Sequence, residues 1–195
     1  MTTEQKKATP NVPIIRSQRL ELRPMTPPFI EALLEDRRAD AEALLNLKLT
    51  GPRPDAGDEH WLRLRLGQLR ADPTWQWWLG RAVVLPEIGE MIGHAGFHEP
   101  PREGGELEFG YSIFPEHRRK GYATEVSLAL MDWARSAKGI SRFVLSISPD
   151  NEPSLSVARK LGFEPTGVQW DDEDGEELVF GLDYSRSSGS SSSTG

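Results

Sequence analysis

The chain has 195 residues, with 23 Lys and Arg against 30 Asp and Glu, a net charge of −7 and no cysteine. That length is enough for one domain with a sizeable core. The acidic balance argues against generic nucleic-acid binding, which needs a broad basic surface, and favours a cationic substrate. Without cysteine there is no disulfide, thiolate metal site or Cys nucleophile, and the composition fits a cytoplasmic protein.

Residues 1–13, MTTEQKKATPNVP, are polar and lack the apolar centre of a signal peptide, so they are expected to be disordered. RLELR (19–23) alternates, with Leu20 and Leu22 on one face, as a half-buried strand does. The stretch from Met25 to Leu47 opens with Thr26 as a candidate N-cap and prolines in the first turn, and reads as one broken helix or two short ones. In DEHWLRLRLGQLR (58–70), Leu62, Leu66 and Leu69 fall at i, i+4 and i+7 of a further helix, with Arg63 and Arg65 on its solvated side.

The period then changes. WQWWLGRAVVL (75–85), EMIGHAGFHE (90–99) and ELEFGYSIF (106–114) are rich in aromatic and β-branched residues, with Gly89 and PPREGG (100–105) as turns. They read as three consecutive antiparallel strands, with Trp75, Trp77 and Trp78 as packing residues. ATEVSLALMDWARSAKG (123–139) is a helix with an apolar stripe through Val126, Leu130, Trp133 and Ala137, stopped at Gly139. RFVLSIS (142–148) is a strand and PSLSVARKLG (153–162) a short helix. TGVQW (166–170) and ELVFGLDY (177–184) form a closing hairpin around the acidic turn DDEDGE (171–176). The Ser/Gly-rich end, 185–195, is expected to be a disordered tail. The order gives a mixed α/β (α+β) fold in one domain, 14–184, with no apolar run near the roughly 18 residues of a membrane span.

HRRKGYATE (117–125) lies between a strand and an amphipathic helix. A helix N-terminus presents unpaired N–H groups and partial positive charge, Gly121 lets backbone approach a ligand, and Ala123 stays small. With Arg118, Arg119 and Lys120 beside them, these amides would make an anion site of the kind that holds a pyrophosphate; by itself the motif reads equally as a basic strand-to-helix turn with solvated charges. Neither the ATP-binding P-loop nor the dinucleotide fingerprint is present.

Arg118-x-x-Gly121-x-Ala123 resembles the R/Q-x-x-G-x-G/A acyl-CoA loop of the GNAT superfamily of N-acetyltransferases. NEPSLSVARKLGFEPTG (151–167) is similar to that superfamily's N-x-x-S…K-x-G-F segment, and ELEFGYSIFPEHRRKGYATE (106–125) to the strand before its loop. SQRLELRPMTP (17–27) is similar to the start of the ribosomal-protein N-terminal acetyltransferase branch. The resemblance implies acetyl-CoA as cosubstrate and a V-shaped split between EFGYSIF and RFVLSIS. Tyr111, Ser112, Ile113 and Phe114 would supply the strand edge for the pantetheine arm. Backbone N–H groups across Arg119, Lys120, Gly121, Tyr122, Ala123 and Thr124 would take the pyrophosphate, and Asn151 would hydrogen-bond the pantetheine. An N–H near Ile113 would stabilise the oxyanion, and Glu108 is the first candidate for the base, with Glu106 and His98 as alternatives. Many relatives protonate the leaving thiolate with a Tyr on the helix after the Asn loop. Here the tyrosines are 111, 122 and 184 only, and Ser154 matches the serine used in the N-terminal branch.

The implied activity is acetyl transfer to a primary amine, either a protein N-terminus or a small amine such as a polyamine, amino sugar or amino-acid analogue. A CoA-sensing module without turnover is the alternative. No metal is expected: His94 and His98 are four apart in a strand, roughly 13 Å along it. No nucleic-acid or membrane partner is expected, and the chain reads as a monomer or homodimer.

Overall fold

A computed structural model describes residues 10–51, 53–101, 105–171 and 175–184. The expected disorder of 1–9 and of 185–195, and the centres of the turns at 102–104 and 172–174, lie outside the described residues.

The short strand β1 (Ile15–Arg16) pairs with β2 (Glu21–Pro24) in a small hairpin. Leu20 and Leu22 are buried, as their alternation requires. Thr26 occupies the N-cap of α1 (Pro27–Leu34) without a side-chain capping bond, and Pro27 and Pro28 supply the fixed φ of the first turn. The apolar run then breaks at Asp36, whose φ is +57°, and resumes in α2 (Arg38–Leu45). The helix α3 (Ala56–Ala71) is set by a reciprocal capping box. The Asp55 carboxylate accepts from Asp58 N–H at 2.9 Å, and Asp58 from Asp55 N–H at 3.4 Å.

Leu62, Leu66 and Leu69 are buried as expected, but so is Arg65, which the leucine spacing assigns to the solvated side. It sits three residues from Leu62 and four from Leu69, inside the apolar stripe. Its guanidinium donates to His98 O (2.7 Å) and Gln68 Oε1 (2.9 Å) over the Trp61 ring. Arg63 is the exposed one, paired with Glu59.

WQWW is not strand. Pro73–Trp77 is a 3-10 turn capped by Asp72, and extended structure begins with β3 (Arg81–Leu85). A proline and an N-cap carboxylate one residue apart outweigh the aromatic β-propensity here. The tryptophans do pack: Trp77 stacks on Trp133, and Trp78 meets Phe97 and Trp133 edge-on. β4 (Glu90–Phe97) and β5 (Glu106–Ile113) complete the antiparallel trio. α4 (Tyr122–Lys138) ends at Gly139 in the left-handed conformation. Its buried stripe runs through Val126, Leu130 and Ala134. Ala137 is exposed, because the helix sits rotated so that Ser127 and Met131 face inward instead. β6 (Arg142–Ile147), α5 (Glu152–Leu161), β7 (Glu164–Asp171) and β8 (Gly175–Asp183) follow as expected.

The sheet order is β1-β2-β3-β4-β5-β6-β8-β7. One face packs on α4 and α5, with Val83, Leu107, Phe109 and Phe143 at its centre. The other packs on α1, α2 and α3 through Ala82, Val84 and Met91. Every neighbouring pair is antiparallel except β5 and β6, which are parallel. No helix among the described residues is long and apolar enough to cross a membrane.

Candidate active site

The parallel seam is short. β5 and β6 pair at Glu106–Arg142, Leu107–Phe143 and Glu108–Val144, then part. β5 continues beside β4 as far as Ile113, while β6 continues beside β8 as far as Ile147. This is the V-shaped split. Phe114 N–H donates to Ile92 O, and Glu108 O accepts from His98 N–H, both across to β4. Backbone groups alternate sides along a strand, so Tyr111 and Ile113 turn theirs into the split, while Ser112 and Phe114 turn theirs towards β4. Gly93 fits β4 closely against this stretch: a Cβ there would lie 2.1 Å from Ser112 O.

Below the open end lies the N-terminus of α4. The N–H groups from Arg119 to Thr124 find no acceptor among the described residues, and the helical ladder starts with Glu125 N–H to Gly121 O. Arg119 (φ +61°) and Gly121 (φ +81°) both take the left-handed conformation that turns successive amides to one side. The nearby cations are partly committed. Arg118 Nε donates to Ile113 O at 2.8 Å, tying the loop to the strand, and Lys120 Nζ reaches Glu116 O at 3.1 Å. Arg19 holds the loop from the other side, with Nη1 on Lys120 O and its guanidinium over the Tyr122 ring. Its partner is Glu125, and nothing in the local motif signals this pair. Six unpaired amides in a concave loop are what a pyrophosphate needs, so the residues fit coenzyme A at this position.

Across the split, Asn151 caps α5, its Oδ1 accepting from Ser154 N–H at 3.2 Å. That fixes Ser154 on the first turn. The Tyr111 hydroxyl is buried near it. Burial pushes the phenol up, and the Ser154 side chain opposes the rise, although the two hydroxyls fall outside hydrogen-bond alignment.

Glu108, Glu106, Ser112 and Gly110 share the opposite face of β5. Glu108 Oε1 lies 3.5 Å from His98 Nδ1, so two candidate bases named separately from the sequence form one pair. Burial holds the His98 imidazole below its ordinary range, with the Glu108 carboxylate pulling the other way. His94, whose pKa burial also lowers, lies against Trp61 with ring centroids 4.6 Å apart and planes tilted by 32°. It pairs in register with Ser112, which places the two side chains next to each other on one face. Glu106 sits at the register of Arg142, at the closed end of the seam. No group of three or more metal-binding side chains is found among the described residues.

The chain matches the family model described as the acetyltransferase (GNAT) domain over residues 19–164. It is 40% identical over 79 residues to the uncharacterized N-acetyltransferase YoaA of Bacillus subtilis, covering 40% of this chain and 45% of that one. The chain spans about half the length of the curated relatives it matches. A GnaT-family acetyltransferase from Bordetella pertussis superimposes with a TM-score of 0.61 at 26% identity, over 87% of this chain and 99% of that one. A ribosomal L7/L12 alpha-N-protein acetyltransferase, solved with coenzyme A, has the same fold at a TM-score of 0.64 and 22% identity, over 88% and 98%. The match runs from the hairpin that clamps the loop, through the split and the unpaired amides, to the start of β7, and the chain belongs to the GNAT acetyltransferase family.

Proposed function

We propose that the protein is an acetyl-CoA-dependent N-acetyltransferase, acting in the cytoplasm on a primary amine. The observation that carries this reading is the split between β5 and β6 ending above six unpaired amides at the start of α4. Coenzyme A, when bound, supplies an activated acetyl thioester. The chain does the rest. The amides from Arg119 to Thr124 hold the pyrophosphate, and the free edge at Tyr111 and Ile113 aligns the pantetheine as an added strand would. Asn151 serves as helix cap with its Oδ1, and its amide nitrogen reaches the pantetheine.

An acceptor amine reaches the site as an ammonium and must lose a proton before it attacks. The Glu108–His98 pair takes that proton. His98 is neutral at pH 7 and the carboxylate steadies the imidazolium that forms. Ile113 N–H, directed into the split, stabilises the oxyanion. Ser154 passes a proton to the departing sulfur and regains one from the attacking nitrogen, so one proton is released overall.

Thiol release from acetyl-CoA, measured with N-terminal peptides, polyamines, amino sugars and amino acids, tests the reading. Glu108→Gln is expected to lower kcat about 10²- to 10⁴-fold with coenzyme affinity unchanged. Coenzyme binding without turnover on any amine would instead make the chain a sensor module.

A further inference from the structure

A cavity of about 330 Å³ lies between α1, α2, α3 and the β4–β5 pair. Met25, Leu33, Leu62, Met91 and Phe114 make its walls apolar. Ser112 and His94 both line it, so it reaches the strand that borders the split. A second cavity, about 110 Å³, shares Trp61 and His94 as wall and continues to His98 and Gly110. Gly110 leaves room for the His98 ring: a Cβ there would sit 3.0 Å from His98 Nε2. The Trp61–His94 pair is thus a partition between a larger apolar space and a smaller space that ends at the Glu108–His98 pair.

We propose that the larger cavity receives the acceptor, that the acceptor is a primary amine carried on an apolar body, and that its ammonium is met by Asp58 and the Trp61 ring beside His94. The assignment rests on the acetyltransferase reading above. Asp58 lines the cavity from the first turn of α3, and the bond its carboxylate accepts among the described residues, from Asp55 N–H at 3.4 Å, is long. Its charge is felt at His94, where it works against the lowering effect of burial. A carboxylate beside an indole face suits an ammonium. The guanidiniums on the rim are occupied: Arg53 with Asp36 at 3.0 Å, Arg38 on Gly51 O at 3.1 Å and Arg118 on Ile113 O. Three other carboxylates line the cavity, and Glu116 stands apart from Trp61 on the short 3-10 turn Pro115–His117 that precedes the anion loop. Asp36 holds Arg53, and Asp55 caps α3.

The apolar walls decide the class. A second ammonium or a ring of hydroxyls would lose its hydration against these walls, whereas a hydrocarbon body gains from burial. A volume near the lower end of ligand cavities, about 300 Å³, admits one residue-sized group. That group is either a free amine of amino-acid size or the first residue of a peptide. The smaller cavity, bounded by His94, His98 and Arg65, has room for about three waters at ~30 Å³ each, enough to relay the ammonium proton to His98 and Glu108. The freed lone pair then attacks the thioester carbon. The C–N bond forms, the C–S bond breaks, and Ser154 protonates the sulfur.

Steady-state kinetics with leucinamide, a Leu-initiated tripeptide, spermidine and an amino sugar test the assignment. Leucinamide or the tripeptide is expected to show the highest kcat/KM, and which of the two leads identifies the source of the amine. Asp58→Asn, which keeps the cap, is expected to raise the amine KM at least tenfold with acetyl-CoA affinity by calorimetry and Tm unchanged. Leu33→Asp is expected to shift preference towards spermidine. Preferred turnover of spermidine or the amino sugar by the native protein, or an unmoved KM in Asp58→Asn, overturns this assignment and leaves the acetyltransferase reading standing. Coenzyme binding with no amine turned over overturns both.

Discussion

Arg19 Nη2 lies 2.6 Å from Glu125 Oε2, and this contact clamps the anion-binding loop to the β1–β2 hairpin. The Glu125 carboxylate also accepts from Ser17 Oγ and from Arg19 N–H, each at 2.7 Å. Arg19 then extends over Tyr122 to Lys120 O. A negative charge in the first turn of α4 would compete with a bound phosphate. Arg19 neutralises it and leaves the amides ahead of it free.

Burial works to raise the Glu125 carboxyl, but the Ser17 and Arg19 contacts outweigh it and hold the group below its ordinary range. A folded pKa below the unfolded one stabilises the fold above the unfolded value and loses that contribution as pH falls through the folded value. Glu125→Gln is therefore expected to cost about 1–3 kcal/mol at pH 7. The gap from the native protein should start to close below about pH 5 and vanish under the folded pKa. Urea unfolding across that range measures it.

Gly121 separates conformational from electrostatic effects. A Cβ there would meet only Arg19 Nη2 at 3.6 Å, an ordinary contact, but the φ of +81° strains any other residue. Gly121→Ala is expected to cost about 1 kcal/mol of stability with coenzyme binding weakened little. Gly121→Glu adds a carboxylate among the amides, and calorimetry with acetyl-CoA should show binding reduced at least about 100-fold, since like charges at one site cost several kcal/mol.

Gly93 controls the shape of the split. The Cβ of Gly93→Ala would lie 2.1 Å from Ser112 O and 3.1 Å from Ile113 Cα, both backbone atoms that cannot rotate away. β5 must shift at Ile113, where it borders the open split. Expected outcomes are a loss of about 1–3 kcal/mol and a turnover defect larger than the affinity defect for the coenzyme.

Arg81 is fully buried, lies 5.2 Å from the Trp133 ring centroid, and donates to Pro13 O, Leu22 O and Trp77 O. Burial brings its pKa down to about 10, so it stays charged at neutral pH. Arg81→Met removes the donor shared by three carbonyls and is expected to cost about 2–4 kcal/mol. Limited proteolysis should then cut first on the N-terminal side of β1, which this side chain ties to the 3-10 turn.

Local pattern revealed the secondary structure wherever one signal dominated. The alternation at Leu20 and Leu22, the i, i+4, i+7 leucines of α3 and the Gly139 stop all lie where the sequence places them. Trp75–Trp78 misled because aromatic content suggests a strand, while Asp72 and Pro73 start a tight turn. Arg65 misled because its charge suggests solvent, while its helical position points inward. At the site, the turn at Gly121 into α4 and the short helix after Asn151 were readable because each lies within one short segment. The Glu108–His98 pair, the Trp61–His94 partition and the Arg19–Glu125 clamp join separate elements, and only the sheet register and helix packing bring them together.

The three-residue seam between β5 and β6 also bears on how long the molecule survives. Two hydrogen-bonded ribbons share a single stitch, and under the function proposed above a donor molecule would take the place of a missing strand along the rest of their length. A ligand that favours the closed fold at one hundred times its Kd adds about 2.7 kcal/mol of stability. Acetyl-CoA would then act as chaperone as well as reagent. When the donor runs low, the ribbons separate more often, and a protease reading those openings would clear idle enzyme before working enzyme.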